Sequence, residues 1–310
     1  MPTVLATWTS SLTAMRTRRD ITQVCILSCL ARAFPGDKFI AEETGGELLA
    51  AGSGTRAAVM DAVGRHSALR LSETDALGAL DLGRTGAVDG WSSSGRTWVL
   101  DPVDGTKGFL RGDQFAVALS LLDGGVPVLG MLGCPALGDA GSLFWAERGH
   151  GASWSTCTDP VFGDNAGLKA DDIFGACAPL RVTTPSSTGL VRCEAFEAQH
   201  TNFAVAESIG ARLGVEMPPV RMDGQCKYGL IARGECHIFT RLPREGYVEK
   251  IWDHAAGCLI VEEAGGRVTD TDGRPLDFSL GETLDPSVTG IVASNGAVHD
   301  ALLLALAEII

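Results

Sequence analysis

Trp98-Val99-Leu100-Asp101-Pro102-Val103-Asp104-Gly105-Thr106-Lys107-Gly108-Phe109 reads as an apolar strand that ends in a carboxylate, a proline, a second carboxylate and a glycine. The apolar run carries Asp101 out of the core to the edge of a sheet. Pro102 fixes its own φ and donates no hydrogen bond, so the chain is expected to turn there. Gly105 tolerates the positive φ that such a corner often needs. Asp101, Asp104 and the Val103 carbonyl can then converge on one point, with Thr106 beside them. Oxygen ligands of this kind suit Mg²⁺, which keeps several waters and takes phosphate oxygens as further ligands. A β-turn with two solvated aspartates explains the bare motif equally well, so the rest of the chain has to decide.

The chain has 310 residues, enough to bury a large core in one big or two medium domains. Apolar residues make up 45% and charged residues 20%, a globular balance. No apolar stretch approaches the ~20 residues of a membrane span. The net charge of −13 argues against nucleic acid as a partner. An acidic protein still handles phosphates when its carboxylates hold cations. Nine cysteines, an odd number with no C-x-x-C pair, point to reduced, mostly buried thiols and a cytoplasmic protein.

Residues 1–20 read as a frayed or locally helical start that lacks a secretory apolar core, although three arginines and no acid before Asp20 allow a transit-peptide reading. Apolar spacing from Ile21 to Phe34 predicts an amphipathic helix closed by Pro35-Gly36, and Phe39-Ile40-Ala41 a short strand. Helices and loops follow over 44–97. Beyond the central corner, Phe115–Leu122, Val126–Cys134 and Leu143–Ala146 predict an antiparallel meander. The polar segment 161–180 reads as a connection, dividing residues 1–160 from a C-terminal domain at 181–310. In that half, strands are expected at Leu190-Val191, Cys226–Ala232, Cys236–Leu242 and Gly290–Ser294. Helices are expected at Phe203–Leu213, Asp253–Glu263 and from Val298 onward.

Carboxylates recur at element ends: Glu42-Glu43 after a strand, Asp101 and Asp104 after another, Asp253 at a helix start. Singly, Asp253 reads as an N-cap and Glu42-Glu43 as a solvated loop. Gathered at one site, they would repel unless cations neutralise them. Together, Leu100-Asp-Pro-Val-Asp-Gly-Thr-Lys-Gly-Phe109, Ile251-Trp-Asp-His-Ala-Ala-Gly257 and Ala41-Glu-Glu43 resemble the lithium-sensitive, magnesium-dependent phosphatases of the inositol monophosphatase superfamily. Lys107–Val117, Asp223-Gly-Gln-Cys-Lys-Tyr228 and Arg241-Leu-Pro243 with Glu249–Asp253 are most similar to its 3′(2′),5′-bisphosphate nucleotidase branch.

The resemblance implies a layered α/β/α/β/α sandwich with the active site between two domains. It implies a cluster of about two to three Mg²⁺ ions on Glu42, Asp101, the Val103 carbonyl, Asp104 and Asp253. Glu42, Asp104 and Thr106 would be catalytic. Gly105, Thr106, Gly224, Lys227, Arg241 and, by a looser match, His200 and Thr201 would contact substrate. The reaction would remove the 3′-phosphate of adenosine 3′,5′-bisphosphate and of its 5′-phosphosulfate relative in a monomeric protein. An inositol phosphate phosphatase is the alternative. The chain also departs from the family. Arg19 stands where a family aspartate helps activate water, Asp20 lies one residue away, and Gly224 stands where relatives commonly have Ser. A cation at position 19 would repel Mg²⁺, so weakened activity or an inactive nucleotide-binding paralogue is the further reading.

Overall fold

The computed structural model describes residues 12–66, 69–84, 93–157, 177–184, 189–196, 202–244 and 246–309. Its first half is built on the quoted stretch. Strand β2 (Arg96–Asp104) lies between β1 (Lys38–Ala41), which it pairs in parallel, and β3 (Ala116–Asp123), antiparallel to it. Residues Thr97 to Val103 of β2 are buried, as expected for a strand covered on both faces. By contrast, β3 alternates, with Ala116, Ala118, Ser120 and Leu122 turned inward. Strands β4 (Val126–Cys134), β5 (Ser142–Glu147), β6 (Gly151–Thr156) and the short β7 (Ala178–Pro179) extend the meander into a seven-stranded sheet ordered β1 to β7.

Four helices flank this sheet's first strands: α1 (Leu12–Ala33), α2 (Gly45–Ala50), α3 (Ser53–His66) and α4 (Glu73–Leu82). Helix α1 begins well before the expected Ile21. Helix α2 is N-capped by Thr44, and α4 starts in a capping box between Ser72 and Asp75. Val24, Leu48, Val59, Val63 and Leu80 bind these helices to one another. Leu27 of α1 packs with Phe39, Trp98 and Leu100 on the sheet.

After the short helix α5 (Thr106–Arg111) and the meander, the second half forms a five-stranded sheet. Its order is β11 (Arg267–Asp270), β12 (Ile291–Ser294), β10 (Ile238–Arg241), β8 (Arg192–Glu194), β9 (Val220–Arg221). Helices α6 (Phe203–Arg212) and α9 (His299–Ala307) cover one face through Ile209, Ile238, Val292, Leu302 and Leu306. Helices α7 (Cys226–Ala232) and α8 (Ala255–Glu263) fill the space between the two sheets. The layers therefore read helix, sheet, helix, sheet, helix, as the resemblance implies. One apolar core joins both sheets, running from Ile40 and Val99 through Phe144, Tyr228 and Leu259 to Ala293.

Cys226–Ala232 is a helix, not the expected strand. All seven residues are buried, and a short uniformly apolar run has no period to tell the two apart. Layers here approach closely. A Cβ on Gly257 would sit 2.3 Å from Tyr228 Cδ2, and one on Gly130 would sit 2.8 Å from the Ala256 carbonyl oxygen.

His299 is fully buried, with Nε2 and Nδ1 each 2.9 Å from the Thr269 and Ser294 hydroxyls, respectively. Burial, aided by the Arg267 charge, pushes its pKa down to about 4. An unfolded histidine takes its proton near pH 6.5. Between those values the unfolded chain holds more protons, so this contribution is complete above pH 6.5 and is lost as the pH falls toward 4. In urea unfolding, His299→Gln is expected to lose about 1–2 kcal/mol less than the parent between pH 7 and 5. Equal losses would place the acid sensitivity elsewhere.

Candidate active site

The strand does not end at Pro102. β2 continues to Asp104, but its pairing with β3 slips between Asp101 and Asp104. Pro102 has no N–H to give the ladder, and a bulge absorbs it. The turn falls at Gly105 instead, whose φ of 90° opens α5. Asp101 is buried, and its Oδ1 accepts the Val103 N–H at 2.9 Å. Thr106 Oγ1 lies 3.5 Å from the Val103 carbonyl. Asp104 Oδ2 accepts the Gln225 N–H at 2.7 Å, which ties this corner to the start of α7.

Gln225 also fixes the third carboxylate. Its Nε2 donates to the Trp252 carbonyl at 2.8 Å, and its Oε1 accepts the Gly257 N–H at 3.1 Å. The 3₁₀ turn Ile251–Asp253 is held between those bonds, and it presents Asp253 to Asp101 and Asp104. One carboxylate oxygen from each of the three lies within 4.8 Å of the others. Burial and the neighbouring acids Glu42, Asp104 and Asp253 raise the Asp101 pKa well above the ordinary range. Burial raises that of Asp253 to about 8, despite the opposing charge of Arg241. Such a cluster favours a bound cation, and its all-oxygen donors suit a hard divalent one.

Behind Asp253 runs a buried chain of polar groups. Arg241 Nη2 donates to Asp253 Oδ2 at 3.3 Å and its Nε to Glu249 Oε1 at 2.7 Å. Glu249 Oε2 lies 3.1 Å from His254 Nε2, and His254 Nδ1 lies 2.9 Å from the Tyr228 hydroxyl. Burial alone would raise the Glu249 pKa, but His254 and Arg241 together pull it down to about 2. Burial lowers the pKa of His254. Lys227 is buried too, with Nζ donating to the Met222 and Gly224 carbonyls at 3.0 and 2.7 Å. It is not a surface lysine.

Glu42, Asp101, Val103, Asp104, Gly105, Thr106, Gly224, Lys227, Arg241 and Asp253 all line one cleft of about 310 Å³. His200 and Thr201 lie outside the described residues. Gly224 has a φ of 60°, and a Cβ there would lie 2.6 Å from the Asp104 carbonyl oxygen, so a side chain would require the loop to shift. Gln225, Glu249, His254 and Tyr228 complete the setting without having been singled out from the sequence. All four lay inside quoted motifs, which was the available signal.

Glu42 is the exception within the cleft. Gln23 clamps the adjoining loop, with Nε2 on the Glu43 carbonyl at 2.7 Å and Oε1 on the Glu43 N–H at 3.0 Å. Arg19 lies one helical turn before Gln23 on the same face of α1. Its guanidinium ion-pairs with Glu42 and, at 2.6 Å, with Glu43. Asp20 does not line the cleft: it is fully buried, and neither carboxylate oxygen is hydrogen-bonded. Burial raises its pKa to about 6.

The layered fold matches solved structures of the inositol monophosphatase family. The Thermotoga maritima IMPase aligns over 96% of each chain with a TM-score of 0.55 at 18% identity. CysQ from Bacteroides thetaiotaomicron, a bacterial member of the inositol monophosphatase family, aligns over 91% of this chain and 97% of its own, with a TM-score of 0.56 at 18% identity. Residues 13–310 match the profile of the inositol monophosphatase family, and the chain belongs to that family. A 3′(2′),5′-bisphosphate nucleotidase of Oryza sativa is 44% identical over 246 residues, or 77% of this chain. The match spans 65% of the rice protein's length, just under two thirds. One from Emericella nidulans is 36% identical, covering 93% of this chain and 86% of its own.

Proposed function

We propose that the cleft removes the 3′-phosphate from adenosine 3′,5′-bisphosphate, and from its 5′-phosphosulfate relative, giving the nucleoside 5′-phosphorylated product and phosphate. The observation that carries this reading is the meeting of Asp101, Asp104 and Asp253 oxygens within 4.8 Å of one another, beside Lys227 and Arg241. The similarity to bisphosphate nucleotidases supports the nucleotide as substrate.

The three aspartates fit a Mg²⁺ ion, which when bound supplies Lewis acidity toward a phosphoryl oxygen and toward water. The chain's own groups do the positioning. Thr106 stands next to the corner carboxylates, where its hydroxyl can orient water toward phosphorus. Gly105 and Thr106 start α5 at the cleft wall, where main-chain N–H groups suit phosphate oxygens. Arg241 is bound to Asp253 and Glu249, so its charge stays fixed at the cleft wall during turnover. Lys227 offers a second fixed positive charge for the nucleotide's other phosphate.

The test is phosphate release from adenosine 3′,5′-bisphosphate with Mg²⁺, compared with inositol 1,4-bisphosphate and repeated with Li⁺. Mg²⁺-dependent release that prefers the nucleotide and falls with Li⁺ is the expected result. Preference for the inositol phosphate would reassign the substrate. Arg19 on Glu42 favours a second reading, a nucleotide-binding paralogue with little turnover. Binding of the nucleotide without release would select it.

A further inference from the structure

We infer that Arg19 is a built-in counter-cation for Glu42: its guanidinium fills the Glu42 side of the acidic cleft and confines divalent cations to the side formed by Asp101, Asp104 and Asp253. This refines the metal site of the proposed phosphatase, but its test counts ions and needs no turnover, so the two can fail separately.

Geometry carries the inference. Glu42 lines the same cleft as the three aspartates, and its charge is felt by both Asp101 and Asp253. Yet the set of carboxylates whose oxygens converge, among the described residues, holds Asp101, Asp104 and Asp253 without Glu42. What holds Glu42 is Arg19, whose side chain is only 16% exposed and which bridges Glu42 and Glu43. The bridge is anchored at both ends. Gln23 fixes the main chain of Glu43 from the same face of α1, so helix and acidic loop cannot drift apart without breaking its bonds.

Charge sets the consequence. A guanidinium keeps its proton at any working pH, so this cation is permanent and cannot be diluted away. The field of Arg19 also reaches Asp101. A divalent ion seated on Glu42 would have to expel Arg19 or sit against it, and either weakens binding there. Among the described residues, no arginine intervenes at Asp101, Asp104 and Asp253 except Arg241, which is already bonded to Glu249 and Asp253. Arg19 thus gives Glu42 the neutralisation that a second ion would otherwise supply.

A Mn²⁺ titration of the full chain, with free ion read by electron paramagnetic resonance, decides the matter. The parent is expected to bind about one ion tightly, and Arg19→Met about two. Arg19→Met/Glu42→Gln should return to about one, and Arg19→Lys, which keeps the charge, should stay there. An unchanged count in Arg19→Met would overturn the inference, as would a second ion that survives in the double variant. Should Arg19→Met fail to fold, Glu42→Gln in the parent decides alone. An unchanged ion count supports the counter-cation, and loss of a bound ion overturns it.

Discussion

Asp104→Asn is expected to lower Mg²⁺-dependent phosphate release by about 10³-fold or more while raising the melting temperature of the ion-free protein. Losing one carboxylate that holds a catalytic cation removes several kcal/mol of charge stabilisation in the transition state, which corresponds to about 10³ in rate. The fold has little reason to suffer. An Asn carbonyl can still accept the Gln225 N–H that Asp104 Oδ2 holds at 2.7 Å. Without a cation, Asp104 repels Asp101 and Asp253, whose pKa values are raised partly on its account. Removing that charge relieves the repulsion. Phosphate release and thermal unfolding in a chelator measure the two effects. A variant that keeps a tenth of the parent's rate would show that Asp104 does not hold the cation.

The largest loss of stability is expected from Arg241→Ala, about 3–5 kcal/mol in urea unfolding. Among the described residues, Arg241 is the only counter-charge bonded to both Glu249 and Asp253, two carboxylates in the cleft wall. Its removal leaves Glu249 with His254 alone and Asp253 facing other acids. Saturating Mg²⁺ should restore part of the loss, because an ion on Asp253 replaces some of the missing charge. A loss below about 1 kcal/mol would mean that water reaches these groups and solvates them.

The central strand and the corner at Asp101 to Thr106 were legible because their chemistry is compressed into a dozen adjacent residues. The corner's shape was less so. Pro102 forbids a ladder bond, which a turn and a bulge satisfy equally, and only the pairing with β3 distinguishes them. Cys226–Ala232 was misread because every side chain is buried, so the sequence carries no amphipathic period. Arg19 was visible as an oddity of position. Its bond to Glu42 depends on the clamp of Gln23 on Glu43, a contact across 20 residues. The chain from Arg241 through Glu249 and His254 to Tyr228 joins a strand, a loop, a helix cap and a helix. No local pattern announces such a network.

Gly130 and Gly257 have a consequence for how the molecule moves. Where β4 meets Ala256 and where α8 meets Tyr228, bare backbone replaces the cushion of side chains on which packed layers usually slide. β4, α8 and α7 are locked together at these points. Ligand entry is then expected to depend on exposed side chains that line the cleft, such as Lys107 and Tyr247. Exchange of a bound ligand should then follow local rotamer motion and leave the rigid body of the protein still.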